Sequence, residues 1–515
     1  MDLRVNGTAA STERRHWQVG SLAIPVWLVV ALGALLAIRL VALVYNRTDL
    51  FFDEAQYWAW SVEPAFGYYS KPPLIAWIIA LATGVCGQGE ACIRSPAPIL
   101  HTLTALSVFA LGARLYEVRV GALAALAFAL LPGVSLSAGI ISTDVPLLLC
   151  WALAILAFAA LFETRDSWPS VLLGVAFGLG LNAKYAMAWF ILCAAVYLIA
   201  TPERRSVLRD KRLWAGLALG LAMIVPNMIW NQAHSFATFS HTADNAKWEG
   251  GLFHPTKALE FFGSQFGVFG PLYFAGLLVI VWRGWKTRLP EADRLLMAFC
   301  LPLVAIITVQ AFLSRAHPNW AAVAYVPGVV LVVATLVRDA EWGWLKASYW
   351  IHVAVLAVLI VGTATAGAVR LPVKPDPLAR TLGWREIAAA TRAEIADAKV
   401  AGKPYASVVT DDRSITAELL YYMRAEPTPV LAWKSSPRPH DHFELTRPFK
   451  GGAQEPALLV TLGGMPVAGA PVKAGQRSVF EVFGSVAQVA IRDVPAGINE
   501  KRHVSFFALS GYKGP

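Results

Sequence analysis

Apolar runs of bilayer-crossing length recur through the first 370 residues, and they limit the chain more than any other feature. In lipid every backbone amide must find its partner within the protein, so such runs form helices or a closed barrel. Runs of about 20 residues suit helices. They cover Ser21–Val44, Pro96–Ala113, Val120–Ala138, Val145–Phe162, Ser170–Leu181, Ala186–Ala200, Leu213–Trp230, Phe261–Val281, Leu295–Leu313, Ala321–Val337 and Tyr349–Val369. The first is too long for a signal h-region and lacks a convincing cleavage site, which predicts a retained helix with Arg39 snorkelling near its outer end. Hydrophobic residues are 57% of the chain and charged ones 15%. The net charge of +10 would suggest nucleic acid in a soluble protein. Here the basic residues cluster at Arg114/Arg119, Arg204–Arg212, Arg283–Arg288 and Arg338–Lys346, between apolar runs. That pattern sets orientation, with those loops cytoplasmic and no nucleic-acid partner.

Alternation from a cytoplasmic N-terminus works if Pro72–Val85 does not cross, which predicts about eleven spans, interfacial helices in the first outer loop and an outer C-terminus. The domains expected are a cytoplasmic tail 1–20, a transmembrane domain 21–370 with outer loops 46–94 and 231–260, and an outer domain 371–515. Pro372, Pro375 and Pro377 mark the linker, and later apolar runs are too short to span. Ala406–Thr410, Ala457–Thr461 and Val479–Ile491 have strand patterns, and Ile415–Arg424 reads as an amphipathic helix. A small α/β fold follows, with Pro437–His442 as a loop.

The outer loops hold the chemistry-bearing residues. Asp53 and Glu54 open the segment Asp49–Trp77, Tyr57, Trp58, Trp60, Phe66, Tyr68 and Tyr69 fill it, and Lys71 with Pro72 and Pro73 closes it. Adjacent carboxylates, aromatics and a lysine suit an acid–base or cation site facing a lipid phosphate or sugar. Aromatics also gather at membrane interfaces without any such role, and on composition the two readings weigh equally. Asp144 begins an apolar run ahead of Pro146, where a helix N-cap is the ordinary role. Lys184 interrupts two runs and either binds phosphate or snorkels. Arg315 is the stronger phosphate residue because its planar fork stays charged. His317 beside it is expected to make a local hydrogen bond. His234, His241, Asp244, Trp248, Glu249 and His254 share the loop 231–260, but their spacing is not diagnostic of a metal. Cys86 and Cys92 pair or stay free, whereas Cys150, Cys193 and Cys300 lie inside apolar runs as packing residues.

Asp53-Glu54-Ala55-Gln56-Tyr57 followed by Lys71-Pro72-Pro73 resembles the first outer loop of glycosyltransferase family 39 and its bacterial relatives. These include the aminoarabinose transferase of lipid A, protein O-mannosyltransferases and rhizobial-type lipid A and core sugar transferases. The resemblance runs through Asp144 and the turn at Arg315 and fades after about Arg370. It implies the C-type glycosyltransferase fold: an all-α polytopic membrane domain plus the small α/β domain. It implies an inner-membrane enzyme that moves a sugar, with inversion, from a polyprenyl-phosphate donor to a glycolipid or lipopolysaccharide, or alternatively to a protein. Catalytic roles then fall to Asp53, Glu54 and Asp144, donor-phosphate binding to Lys71, Lys184 and Arg315, and substrate contacts to Tyr57, Tyr69 and His317. Some relatives use a divalent ion and others do not. Metal dependence is therefore left open, with Asp53, Asp144, His241 and His254 as the ligands to consider. A lipid-linked sugar transporter is the rival of another class, and it should carry midplane charges on internally repeated halves, which the sequence lacks. A non-catalytic scaffold should tolerate Asp53→Asn.

Overall fold

The computed structural model describes residues 16–19, 22–246, 251–369, 377–434, 436–463, 479–498 and 500–514. Each apolar run contains a helix, but the helices differ in length for a physical reason. Six are long and apolar enough to cross a bilayer: Val26–Tyr45, Glu90–Leu115, Lys211–Ala233, Glu291–Leu313, Pro318–Arg338 and Trp342–Ala364. Val118–Leu130, Asp144–Ala160, Trp168–Ala183 and Tyr185–Ala200 are shorter. Asp144–Ala160 is buried along most of its length, so protein rather than lipid surrounds its ends. Trp168–Ala183 meets Lys211–Ala233 across Gly174, Gly178, Gly216 and Gly220, where small residues let the backbones approach.

Three expectations are corrected here. The run Phe261–Val281 is not one straight span: Pro255–Val268 and Pro271–Gly284 meet at 116°. Gly270, at φ +93°, makes the break, Pro271 restarts the helix, and His352 lies against the glycine where a side chain would stand. The first helix starts at Val26 rather than Ser21, because β2 (Leu22–Pro25) pairs antiparallel with β1 (His16–Val19). Arg39 does not snorkel: it is buried and donates to the carbonyl of Ala129 at 2.5 Å and to Ser135 Oγ at 3.3 Å.

The basic loops gather at one end of the bundle, tied by Arg114–Glu163, Arg204–Glu291, Arg294–Glu203, Arg338–Asp293 and Arg283–Asp339. Asp144 and Glu163 flank the same helix at opposite ends, and so do Lys184 and Arg204. The acidic and lysine residues of interest thus share the other end. There Leu74–Cys86, at 13 residues, is too short to span and follows the short helix Phe52–Val62, and Cys86 is disulfide-bonded to Cys92. Cys150, Cys193 and Cys300 are free and buried, as packing residues should be.

At that end sits the C-terminal sheet, ordered β4-β3-β5-β7-β6 from β3 (Ser407–Thr410), β4 (Val430–Ala432), β5 (Ala457–Leu462), β6 (Phe483–Pro495) and β7 (Lys501–Tyr512). β3 runs parallel to β4 and β5, while β7 is antiparallel to β5 and β6. The buried runs of β3 and β5 reflect helices packed over them, Trp384–Val400 and Arg413–Tyr422. The domain docks onto the first loop. Leu50, Ala55, Trp58, Trp60 and Tyr68 form one apolar cluster with Ala417, Tyr421, Ala432 and Phe443. Asp49 accepts from the Trp384 amide at 2.9 Å, and Tyr422 Oη links the Leu50 amide to Glu90.

Candidate functional site

Asp53 and Glu54 are neighbours in sequence and point to different environments. Consecutive helical residues are turned by about 100° around the axis, so one can face inward while the other reaches the surface. Glu54 is fully buried. Both its oxygens take hydrogen bonds from Arg94, the shortest 2.7 Å, and it also accepts the amides of Phe51 and Ile141 at 2.9 Å. Arg94 goes on to the carbonyls of Thr48 and Asp49. Glu54, expected among the catalytic acids, is thus buried and engaged in pinning the loop to the helix Glu90–Leu115, away from the open face that Asp53 keeps. Asp53 stays partly open. Its Oδ1 accepts from Arg413 Nη1 at 2.9 Å, and among the described residues Oδ2 takes no hydrogen bond.

Lys71 is held from behind. Asn227 Nδ2 grips the carbonyl of Phe66 at 2.7 Å and Thr238 Oγ1 that of Tyr68 at 2.7 Å, so the loop 63–73 lies against the helices Lys211–Ala233 and Ala237–Ala246. Gly67 is needed there, because a side chain would strike Trp230 and Asn227. The Lys71 ammonium makes no ion pair or hydrogen bond among the described residues. Burial and the charge of Lys184 lower its pKa to about 8, against the pull of Asp53 and Asp144.

Asp144 does not cap its helix. The N-cap position is Thr143, without a capping side chain, and the Asp144 carboxylate turns to Lys184 Nζ at 2.7 Å and Asn319 Nδ2 at 2.6 Å. Lys184 is therefore the counter-ion of Asp144 before it is anything else. Asn319 was not singled out by sequence, although the turn carrying it was. In that turn Arg315 has a buried Nε without a partner. The His317 carbonyl accepts the Trp320 amide at 3.0 Å, a local hydrogen bond of the backbone, while its ring makes none among the described residues and meets Trp320 edge-on, 5.4 Å between centroids. Burial, then Arg315, Arg380 and Lys184, lower its pKa, so the ring is neutral near neutral pH.

Tyr57 is buried against Trp60, and burial with the nearby Asp53 raises its hydroxyl pKa, keeping it a proton donor. Tyr69 donates to the carbonyl of Pro439 at 3.0 Å, a contact that ties the first loop to the C-terminal domain, and meets His241 edge-on, 5.5 Å between centroids. His254 precedes the helix Pro255–Val268, and its amide bonds to Phe312. Glu249 and Trp248 lie outside the described residues. Among the described residues no three His, Cys, Asp or Glu side chains gather as a metal site, and the carboxylates of Asp53 and Asp144 are each engaged by a cation.

What converges is a set of cations, Lys71, Lys184, Arg315 and Arg413, around two carboxylates, Asp53 and Asp144. Electrostatic coupling links Lys71 to both carboxylates, to Lys184 and to Arg413, and His317 to Arg315 and Asp53. Such a cluster can hold a phosphate and accept a proton across from it. Arg413 is the member no local pattern revealed, since it lies 360 residues from Asp53.

Residues 70–230 match the family described as dolichyl-phosphate-mannose-protein mannosyltransferase. The chain is 34% identical over 407 residues to the lipid A galacturonosyltransferase RgtD of Rhizobium johnstonii, covering 79% of this chain and 84% of that protein. It is 27% identical over 205 residues to the lipopolysaccharide core galacturonosyltransferase RgtA of the same organism, covering 39% and 41%. Among solved structures, ArnT from Cupriavidus metallidurans bound to undecaprenyl phosphate superposes with a TM-score of 0.62 at 16% identity, covering 93% of this chain and 98% of that one. That likeness establishes the fold: helical membrane domain and small sheet domain together.

Proposed function

The chain belongs to the membrane glycosyltransferase family that contains RgtD, and from that membership we propose that it transfers a uronosyl sugar from a polyprenyl-phosphate donor to lipid A or the adjoining core. In this reading the site faces the periplasm of the inner membrane and the N-terminus is cytoplasmic, an orientation that the distribution of basic loops supports. The observation that carries this reading is the division of charge: Asp53 is anchored through Oδ1 and open at Oδ2, within electrostatic reach of an unpaired Lys71.

The chemistry follows from that division. The acceptor oxygen attacks the anomeric carbon from the side opposite the phosphate. The carbon–oxygen bond to the phosphate breaks with its electron pair on the phosphate, and the acceptor proton passes to Asp53 Oδ2. One displacement inverts the configuration. Lys71 and Arg315 meet the charge gathering on the leaving phosphate. Asp144, oriented by Lys184 and Asn319, keeps a fixed negative charge near the oxocarbenium-like centre. Tyr57, Trp58 and Trp60 stiffen the helix that aims Asp53.

The test is transfer of labelled sugar from a panel of polyprenyl-phosphate donors to lipid A, core lipid and protein acceptors, with wild type and Asp53→Asn in detergent. Wild type should label lipid A or core, and Asp53→Asn should lose roughly 10²–10⁴-fold in rate while still binding donor. Equal labelling by both proteins refutes the role of Asp53. Movement of intact donor across proteoliposomes without labelling makes the protein a transporter.

A further inference from the structure

Arg413 stands at the start of a helix of the C-terminal domain, yet its guanidinium reaches into the membrane-domain site. One nitrogen does all its recorded work: Nη1 donates to Asp53 Oδ1 at 2.9 Å and to Gln56 Oε1 at 3.0 Å. The Phe52 ring lies under the guanidinium, 4.9 Å from ring centroid to Cζ, and Arg380 lies over that same ring at 5.2 Å. Among the described residues, Nε and Nη2 make no hydrogen bond, and about a third of the side chain is exposed, 34%. The plane of the fork is therefore fixed and one edge of it, Nε–H beside Nη2–H, is unspent. That edge is the one that matches the two oxygens of a carboxylate.

The position of this edge narrows what it can bind. The leaving phosphate has its own cation in Lys71, which has no ion-pair or hydrogen-bond partner among the described residues. Arg413 is bonded to Asp53, the group that takes the acceptor proton, and so lies on the carboxylate side of the cluster. An anion met there must be carried by the sugar or by the acceptor. A hexuronosyl ring carries its carboxylate on the carbon next to the ring oxygen, close to the anomeric centre, while its neutral hexose counterpart carries a hydroxymethyl group there. We propose that Arg413 is the specificity-determining residue for the transferred sugar, binding the ring carboxylate of a uronosyl donor through its free edge while its other side holds Asp53. This rests on the reading of the protein as a transferase of a uronosyl group. It also gives the C-terminal domain a function: it completes the donor site.

The experiment measures binding of polyprenyl-phosphate galacturonate, its methyl ester and polyprenyl-phosphate galactose to the full-length protein in detergent, for wild type, Arg413→Gln and Arg413→Lys. Two charge-assisted hydrogen bonds predict that wild type prefers the free acid by roughly 10- to 100-fold over both neutral lipids. Arg413→Gln should abolish that preference, and Arg413→Lys, which keeps the charge without the fork, should retain part of it. Because the ester comparison is made on wild type, it holds even if Arg413→Gln does not fold. Equal wild-type affinity for acid and ester, or an acid preference surviving in Arg413→Gln, overturns the assignment. So does a transfer defect in Arg413→Gln that disappears with a dephosphorylated acceptor, which would make Arg413 an acceptor residue. Wild type that binds none of the three lipids overturns the transferase reading itself.

Discussion

Replacing Glu54 and Arg94 by leucine, singly and together, separates a structural acid from a catalytic one. Both side chains are nearly inaccessible, 1% and 2% exposed. In Arg94→Leu, Glu54 keeps the amides of Phe51 and Ile141 but loses every cationic contact, and the carbonyls of Thr48 and Asp49 lose their donor. Removing one partner of a buried pair costs about 3–5 kcal/mol. Glu54→Leu strands the guanidinium and should cost the same about 3–5 kcal/mol. The double variant buries no charge, and what remains is the unsatisfied amides and carbonyls, at about 1–3 kcal/mol each where water cannot reach them. The double variant should therefore lose clearly less than the sum of the singles, with a coupling of up to about 3 kcal/mol. Denaturant unfolding in detergent measures the stabilities, and donor-to-lipid A transfer is assayed on the fraction that stays folded. Single losses below about 1 kcal/mol, or strict additivity, would refute the buried-pair argument. A folded double variant that binds donor and transfers nothing would return Glu54 to the chemistry.

Two further outcomes are expected. Lys71, whose pKa is lowered to about 8 in the folded protein, must be cationic to meet phosphate; donor affinity should be flat below that pH and fall up to about tenfold per unit above it. Lys71→Arg should remove the fall between neutral and pH 9.5, and a wild-type affinity flat across that range would discard Lys71 as the phosphate cation. Gly270→Ala places a side chain at φ +93° against His352, which should cost about 1–3 kcal/mol; adding His352→Ala should recover only the steric part, read as the thermal midpoint in detergent.

The C-terminal fold was partly legible. Ala457–Thr461 and Ala406–Thr410 have the short apolar runs of buried strands and became β5 and β3 within a residue. Val479–Ile491 alternates as a strand should, yet Val479–Val482 turns as a helix before β6 begins at Phe483. The helix Trp384–Val400 and the strand Lys501–Tyr512 have no counterpart among the sequence expectations. Arg39 shows the opposite failure: an arginine near a helix end ordinarily snorkels, and only the approach of the Ala129–Ser135 backbone turns it inward.

The sequence by itself determined that this chain crosses a bilayer many times, because apolar run length and the distribution of basic loops act locally and need no partner. It also singled out Asp53 and Lys71 through a compact motif. Which of the two acids is buried and which stays open was decided by tertiary structure. Adjacent carboxylates look alike in one dimension, and only the arrival of Arg94 from the helix Glu90–Leu115 and Arg413 from a distant domain makes Glu54 an anchor and leaves Asp53 one oxygen without a hydrogen bond among the described residues. Asp144 looked like a helix cap until Lys184 and Asn319 came to it across the bundle. Charge pairing across 40 to 360 residues leaves no period or spacing in the chain, so it is settled only where the backbone brings the partners together.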